Sequence, residues 1–154
     1  MKFKSLHYLI EVINKQRKKN IGFTNGCFDL LHEGHIYNLN ECKSNCDILI
    51  VAINSNISVK KIKGPTRPIE NLNKRIKKVS NLKCVDYVIY FHKASPINLI
   101  KLIKPDVLFK GEEYKNDKII GQEIVERRNG KVVFIPHLKG YSTTNKIKRL
   151  YSKN

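Results

Sequence analysis

The feature that most constrains this chain is an alternation: five short apolar runs, each separated from the next by a stretch with helical spacing. The runs are Ile21 to Asn25, Asp47 to Ile53 (DILIVAI), Val85 to Phe91 (VDYVIYF), Asp106 to Lys110 (DVLFK) and Lys131 to Ile135 (KVVFI). Their length and their content of β-branched and aromatic residues suit strands buried on both faces. Candidate helices lie at 34–44, 69–81, 95–103, 117–128 and 143–152. Repeated strand–helix order with right-handed crossovers predicts an α/β fold, a single-domain, Rossmann-like, doubly wound sheet of five parallel strands. In such sheets ligands sit beyond the carboxyl ends of the strands, near the point where strand order reverses.

Ahead of the first strand, Phe3, Leu6, Leu9, Ile10 and Ile13 recur at helical spacing, with Ser5 as a cap and the basic run Lys15 to Asn20 at the end. This predicts an amphipathic helix over residues 1–20, added to a domain over 21–154. The connection from Asn54 to Pro68 contains KKIKGPTRP, too polar and too interrupted by Gly and Pro for a core element, and is expected to be a mobile functional loop.

A length of 154 residues fits one domain with one core. No run of about 18 apolar residues is present and the N-terminus has no apolar signal core, so the expectation is a cytoplasmic protein without a membrane partner. The four cysteines, Cys27, Cys42, Cys46 and Cys84, are then expected to remain reduced. Cys42 and Cys46 lack the paired Cys-x-x-Cys spacing of structural zinc, and no protein-held metal is expected. The net charge of +17 raises the alternative of a basic nucleic-acid-binding domain. Yet the 30 basic residues are mostly lysine, amid much isoleucine and asparagine, a bias that an AT-rich genome produces without a nucleic-acid partner. A solvated lysine surface is the preferred reading, and it is compatible with a site for anionic small molecules.

The chemistry concentrates in TNGCFDLLHEGH, residues 24 to 35. The first strand ends at Thr24-Asn25-Gly26, where glycine permits close backbone approach to a phosphate. Leu30 and Leu31 bury the turn, and Gly34 and His35 open the next helix, whose N-terminus attracts anions. Taken alone, two histidines three apart fit a core or surface pair as well as a working pair. Zinc would need further ligands, and no serine stands in a nucleophile-elbow context.

His32-Glu33-Gly34-His35 resembles the HxGH signature of the nucleotidyltransferase superfamily, in its cytidylyltransferase-like branch. The resemblance runs from about Ile21 to Ile147 and includes VAINSN (51–56), KGPTRPI (63–69), Arg75, CVDYVI (84–89), PDVLFKGEEY (105–114) and GYSTTNKI (140–147). In this order the segments look most like the adenylyltransferase domain that makes ADP-heptose from D-glycero-β-D-manno-heptose 1-phosphate. Glycerol-3-phosphate cytidylyltransferases share the signature and the S-T-T segment, which keeps a CTP-dependent polyol-phosphate enzyme as the alternative.

The resemblance implies direct attack of a sugar phosphate oxygen on the α-phosphorus of ATP or CTP, with loss of pyrophosphate and with Mg²⁺ accompanying the nucleotide. His32, His35 and Lys63 are the expected catalytic residues, donating to the phosphate oxygens as charge builds there. Nucleotide contacts are expected from Thr24, Asn25, Gly26, Cys27, Phe28, Lys61, Lys110, Gly111, Glu112, Tyr114, Ser142, Thr143 and Thr144. Asp29, Arg67 and Arg75 are the expected substrate-binding residues, the arginines through phosphate. Family domains read K-G-G-D-Y where this chain has Lys110-Gly111-Glu112-Glu113-Tyr114, so Glu112 is expected to add bulk and charge beside the base or ribose. A homodimer is the implied assembly, and the kinase domain often fused to this module is expected on a separate protein.

Overall fold

The computed structural model describes residues 2–152. Five strands, β1 (Ile21–Gly26), β2 (Ile48–Asn54), β3 (Tyr87–Phe91), β4 (Val107–Gly111) and β5 (Lys131–Ile135), form one sheet in the order β3-β2-β1-β4-β5. All neighbouring pairs are parallel. The sheet therefore winds outward from β1 to β3, returns, and continues on the other side through β4 and β5. The reversal lies between β1 and β4, where Phe23 is opposite Leu108.

Every residue of β2 is buried, and the period-two alternation of its side chains divides the core. Ile48, Ile50 and Ala52 join Leu9, Phe23, Ile100, Leu108 and Val125 on one face. Leu49, Val51 and Ile53 join Leu39, Ile76, Val79, Val88 and Phe109 on the other. The first face is covered by α1 (Leu6–Lys15), α5 (Ile97–Ile103) and α6 (Gln122–Glu126), and the second by α2 (Glu33–Ser44) and α4 (Leu72–Ser80). A Cβ on Gly22 would lie 2.6 Å from both Cys46 Sγ and Phe109 Cε2, so the β1 backbone passes there only as glycine. Ser5 caps α1, accepting from the Tyr8 amide, and Leu9 and Ile13 are buried in the core. Residues 2–4 run beside β3, with Phe3 opposite Val88. Among the described residues no helix is long and apolar enough to cross a membrane.

Three local expectations are corrected. The connection 54–68 is not an unstructured loop, because it carries α3 (Asn56–Lys63). Ser55 caps it, Ser58 Oγ donates to Lys93 O at 2.8 Å, and Ser58 and Val59 are buried. Helix α4 begins only after its Asn71 cap, since residues 69 and 70 bond elsewhere, and the helix expected over 117–128 is reduced to α6, five residues that start only after Gly121 at φ 89°. The last helix, α7 (Thr143–Tyr151), starts at a Ser142 cap as expected.

Candidate active site

The carboxyl ends of β1 and β4 open into a cleft of about 620 Å³, within the range of roughly 300–1,000 Å³ usual for small-molecule sites. After Gly26 the chain turns through Phe28 at φ 49° and Leu30 at φ 54°, two non-glycine residues in the left-handed region. Such residues cost of order 1–3 kcal/mol each and persist where the surroundings hold them. Here both side chains are buried and Asp29 between them is anchored. Asp29 Oδ1 accepts from the Glu70 amide at 2.9 Å, and Oδ2 accepts from the Ile69 amide at 2.8 Å and Arg67 Nε at 2.7 Å. Burial alone would raise the Asp29 carboxyl, but those two amides and the guanidinium bring it below the ordinary carboxylate range.

The turn ends in His32, which caps α2. His32 Nδ1 accepts from the Gly34 amide at 3.0 Å, while the His32 amide donates to His35 Nδ1 at 3.3 Å. The rings stack with centroids 3.9 Å apart. Because each Nδ1 is an acceptor, the hydrogen-bond network assigns the proton of each neutral ring to Nε2. Burial, then the neighbouring His32 and Lys146, pushes His35 down to about 3, and burial and Lys146 lower His32 as well, against Glu33. At neutral pH the pair thus presents two uncharged Nε2–H donors. Gly34 is required by close approach: a Cβ there would lie 2.9 Å from His32 Cε1 and 3.0 Å from Tyr141 Cβ.

Cations surround this pair. Lys63, from the last turn of α3, and Arg67 line the cleft. Lys110, near the end of β4, crosses the switch point to donate to Asn25 Oδ1 at 3.0 Å, and burial lowers the proton affinity of its ammonium. Thr24, Asn25, Gly26, Cys27, Phe28, Gly111, Tyr114 and Ser142 also line the cleft.

Other expected site residues stand elsewhere. Arg75 is fully buried and does not line the cleft. Its guanidinium donates to the carbonyls of Glu70, Cys27 and Asn54 and to Asn56 Oδ1, tying α4 to the strand ends, so phosphate recognition by Arg75 is withdrawn. Asp29 lies on the cleft wall with its carboxylate engaged by the 67–70 segment, which makes it a positioning residue rather than a substrate ligand. Lys61 is exposed on α3, outside the cleft, because the helix turns it away from Lys63. Thr144 is exposed and outside the lining, and the side chain of Thr143 lies outside the described residues.

Glu112 also leaves the cleft: in the 3₁₀ turn Glu112–Tyr114 its Oε1 accepts from the His137 amide at 2.9 Å. Glu113 faces the cleft instead and pairs with His137 Nε2 at 3.0 Å. Sequence reasoning also missed Tyr141 and Lys146. Lys146 stands four residues after Ser142, one helical turn on and on the same face, a spacing that could have identified it.

A cytidylyltransferase-like family model matches residues 23–149. The chain belongs to this cytidylyltransferase-like family of nucleotidyltransferases. Its curated relatives include the bifunctional protein HldE of Paramagnetospirillum magneticum, 46% identical over 142 residues that cover 91% of this chain and 29% of that protein. HldE of Campylobacter concisus is 44% identical over 149 residues, covering 97% of this chain and 31% of that protein. The chain thus spans less than a third of the length of these relatives. Among solved structures, a lipopolysaccharide core biosynthesis protein from Thermoplasma volcanium is 30% identical with a TM-score of 0.64, over 80% of this chain and 99% of that one. Pantoate-beta-alanine ligase from Francisella tularensis, with a TM-score of 0.65 over all of this chain and 80% of its own, is 19% identical and is similar in fold alone.

Proposed function

We propose that this chain transfers a nucleotidyl group, AMP in preference, from a nucleoside triphosphate to a sugar 1-phosphate, with heptose 1-phosphate the first-choice acceptor and ADP-heptose the product. The observation that carries this reading is the pair of uncharged histidines, each with its proton on Nε2, set in a cation-rimmed cleft at the switch point between β1 and β4. The resemblance of the ordered segments to heptose adenylyltransferase domains supports the choice of acceptor, as do the HldE relatives and the lipopolysaccharide core protein.

In the reaction an acceptor phosphate oxygen bonds to the α-phosphorus, the bond to the bridging oxygen breaks, and pyrophosphate leaves with the electron pair. The chain needs no covalent intermediate. His32 and His35 donate from Nε2 to oxygens that gain charge in the transition state, and Lys63, Arg67 and Lys110 add positive potential around them. Mg²⁺ belongs to the nucleotide substrate, whose charge it neutralises.

Glu112 lies outside the cleft, which removes its bulk as an argument against ATP. The test is a screen of nucleotides against phosphate acceptors with Mg²⁺, following pyrophosphate. ATP with heptose 1-phosphate is expected to be the most productive pair, and exclusive use of CTP would refute the reading. His32→Ala and His35→Ala are each expected to lower turnover by about 100-fold or more, whereas wild-type turnover in His32→Ala would refute the mechanism.

A further inference from the structure

Lys146 reaches back from the second turn of α7 to a place that the proposed reaction does not assign. Its Nζ donates to the carbonyl of Leu31 at 2.6 Å, one residue before His32. Tyr141, just ahead of α7, touches the same turn, leaving no room for a side chain at Gly34. The start of α7 therefore meets the His32–His35 turn at two points. The first turn of α7 has no acidic residue.

We propose that Lys146 is a positioning residue: bonded to Leu31, it fixes α7 against the histidine turn and holds its ammonium next to the residue that precedes His32. Charged groups of other elements act on the pair beside Lys146. Glu33 of α2 opposes Lys146 at His32. At His35, Asp29 opposes the combined effect of His32, Lys146 and Lys63 of α3. Asp29 is itself engaged by Arg67, and Glu33 is exposed to solvent. Two rings 3.9 Å apart repel if both are charged, so a fixed neighbouring cation extends toward acidic pH the range in which both remain neutral donors. Its importance for turnover rests on the nucleotidyl-transfer reading, but the charge effect does not.

The experiment is an NMR titration of the histidines in the full chain without substrate, comparing wild type with K146M, K146Q and K146R. His32, the less perturbed ring, is the reporter. In K146M and K146Q its midpoint is expected to rise by about half a pH unit, the effect of one charge through a partly solvated path, while K146R follows wild type. K146Q retains a donor for Leu31, so it separates charge from hydrogen bonding and serves if K146M does not fold. The acidic limb of kcat/KM for pyrophosphate release is expected to move the same way. Wild-type midpoints in the two neutral variants overturn the proposal. A wild-type protein that releases no pyrophosphate with any substrate pair refutes the reaction instead and leaves the titration result standing.

Discussion

Replacing Arg75 by methionine separates a structural arginine from a phosphate-binding one. The guanidinium is fully buried and makes four hydrogen bonds: to Glu70 O at 3.0 Å, Cys27 O at 2.8 Å, Asn54 O at 2.7 Å and Asn56 Oδ1 at 2.9 Å. Methionine fills much of the same space but leaves those acceptors unpaired. The bonds to Glu70 O and Asn54 O are buried and those to Cys27 O and Asn56 Oδ1 partly so; at about 1–3 kcal/mol for each unpaired buried acceptor, the two buried ones alone cost about 2–6 kcal/mol. Part of that is offset because the variant no longer removes a cation from water on folding, leaving a net loss of about 3 kcal/mol. For a chain of this size the loss lowers Tm by about 6–12 °C. Thermal and urea unfolding measure it, and the urea slope is expected to stay unchanged if the native surface is preserved. Arg75→Lys, with one charged nitrogen in place of three, is expected to fall between wild type and Arg75→Met. Unchanged unfolding midpoints combined with a large loss of nucleotide affinity would refute the buried-anchor role and restore Arg75 as a phosphate ligand.

Two further outcomes follow from the same geometry. His35 is held down to about 3 against an ordinary 6.5, so the unfolded chain takes up a proton that the folded site refuses. Stability from this group is complete above the unfolded value and declines as pH falls from about 6.5 toward 3, by roughly 5 kcal/mol in all. H35N is expected to flatten that part of the stability–pH curve in urea titrations, and an unchanged slope would contradict the burial argument. Gly34→Ala puts a Cβ 2.9 Å from His32 Cε1 and 3.0 Å from Tyr141 Cβ. A stability loss of about 1–3 kcal/mol is expected from the overpacking, with displaced histidine resonances and reduced pyrophosphate release. Wild-type turnover and spectra in that variant would show that the contact yields without consequence.

The strands could be read from the sequence because burial on both faces leaves a local record: β2 is buried at every position and its run ILIVAIN is apolar up to its last residue. The histidine pair could be read for the same reason, since spacing, glycine and cap lie within four consecutive residues. Helix α3 could not, because Ile57 and Ile62 are exposed while the buried Ser58 is held by Lys93, 35 residues away. Arg75 and Asp29 show the limit more sharply. A charged side chain has the same identity whether it meets a phosphate or a carbonyl, and here the partners are 48 and 41 residues distant at Cys27 and Glu70. The exchange between Glu112 and Glu113 has a different cause: a 3₁₀ turn advances each side chain by about 120°, so neighbouring residues point to different surroundings. A motif therefore located the cleft, while long-range hydrogen bonds determined which of its polar residues face it. Arg75 binds α4 to the β1 turn, Asp29 binds that turn to the 67–70 segment, and Lys146 binds α7 to the residue before His32. The geometry of the histidine pair thus depends on contacts between segments far apart in the chain, and substitutions at these three anchors are expected to perturb the site without touching its lining at the histidines.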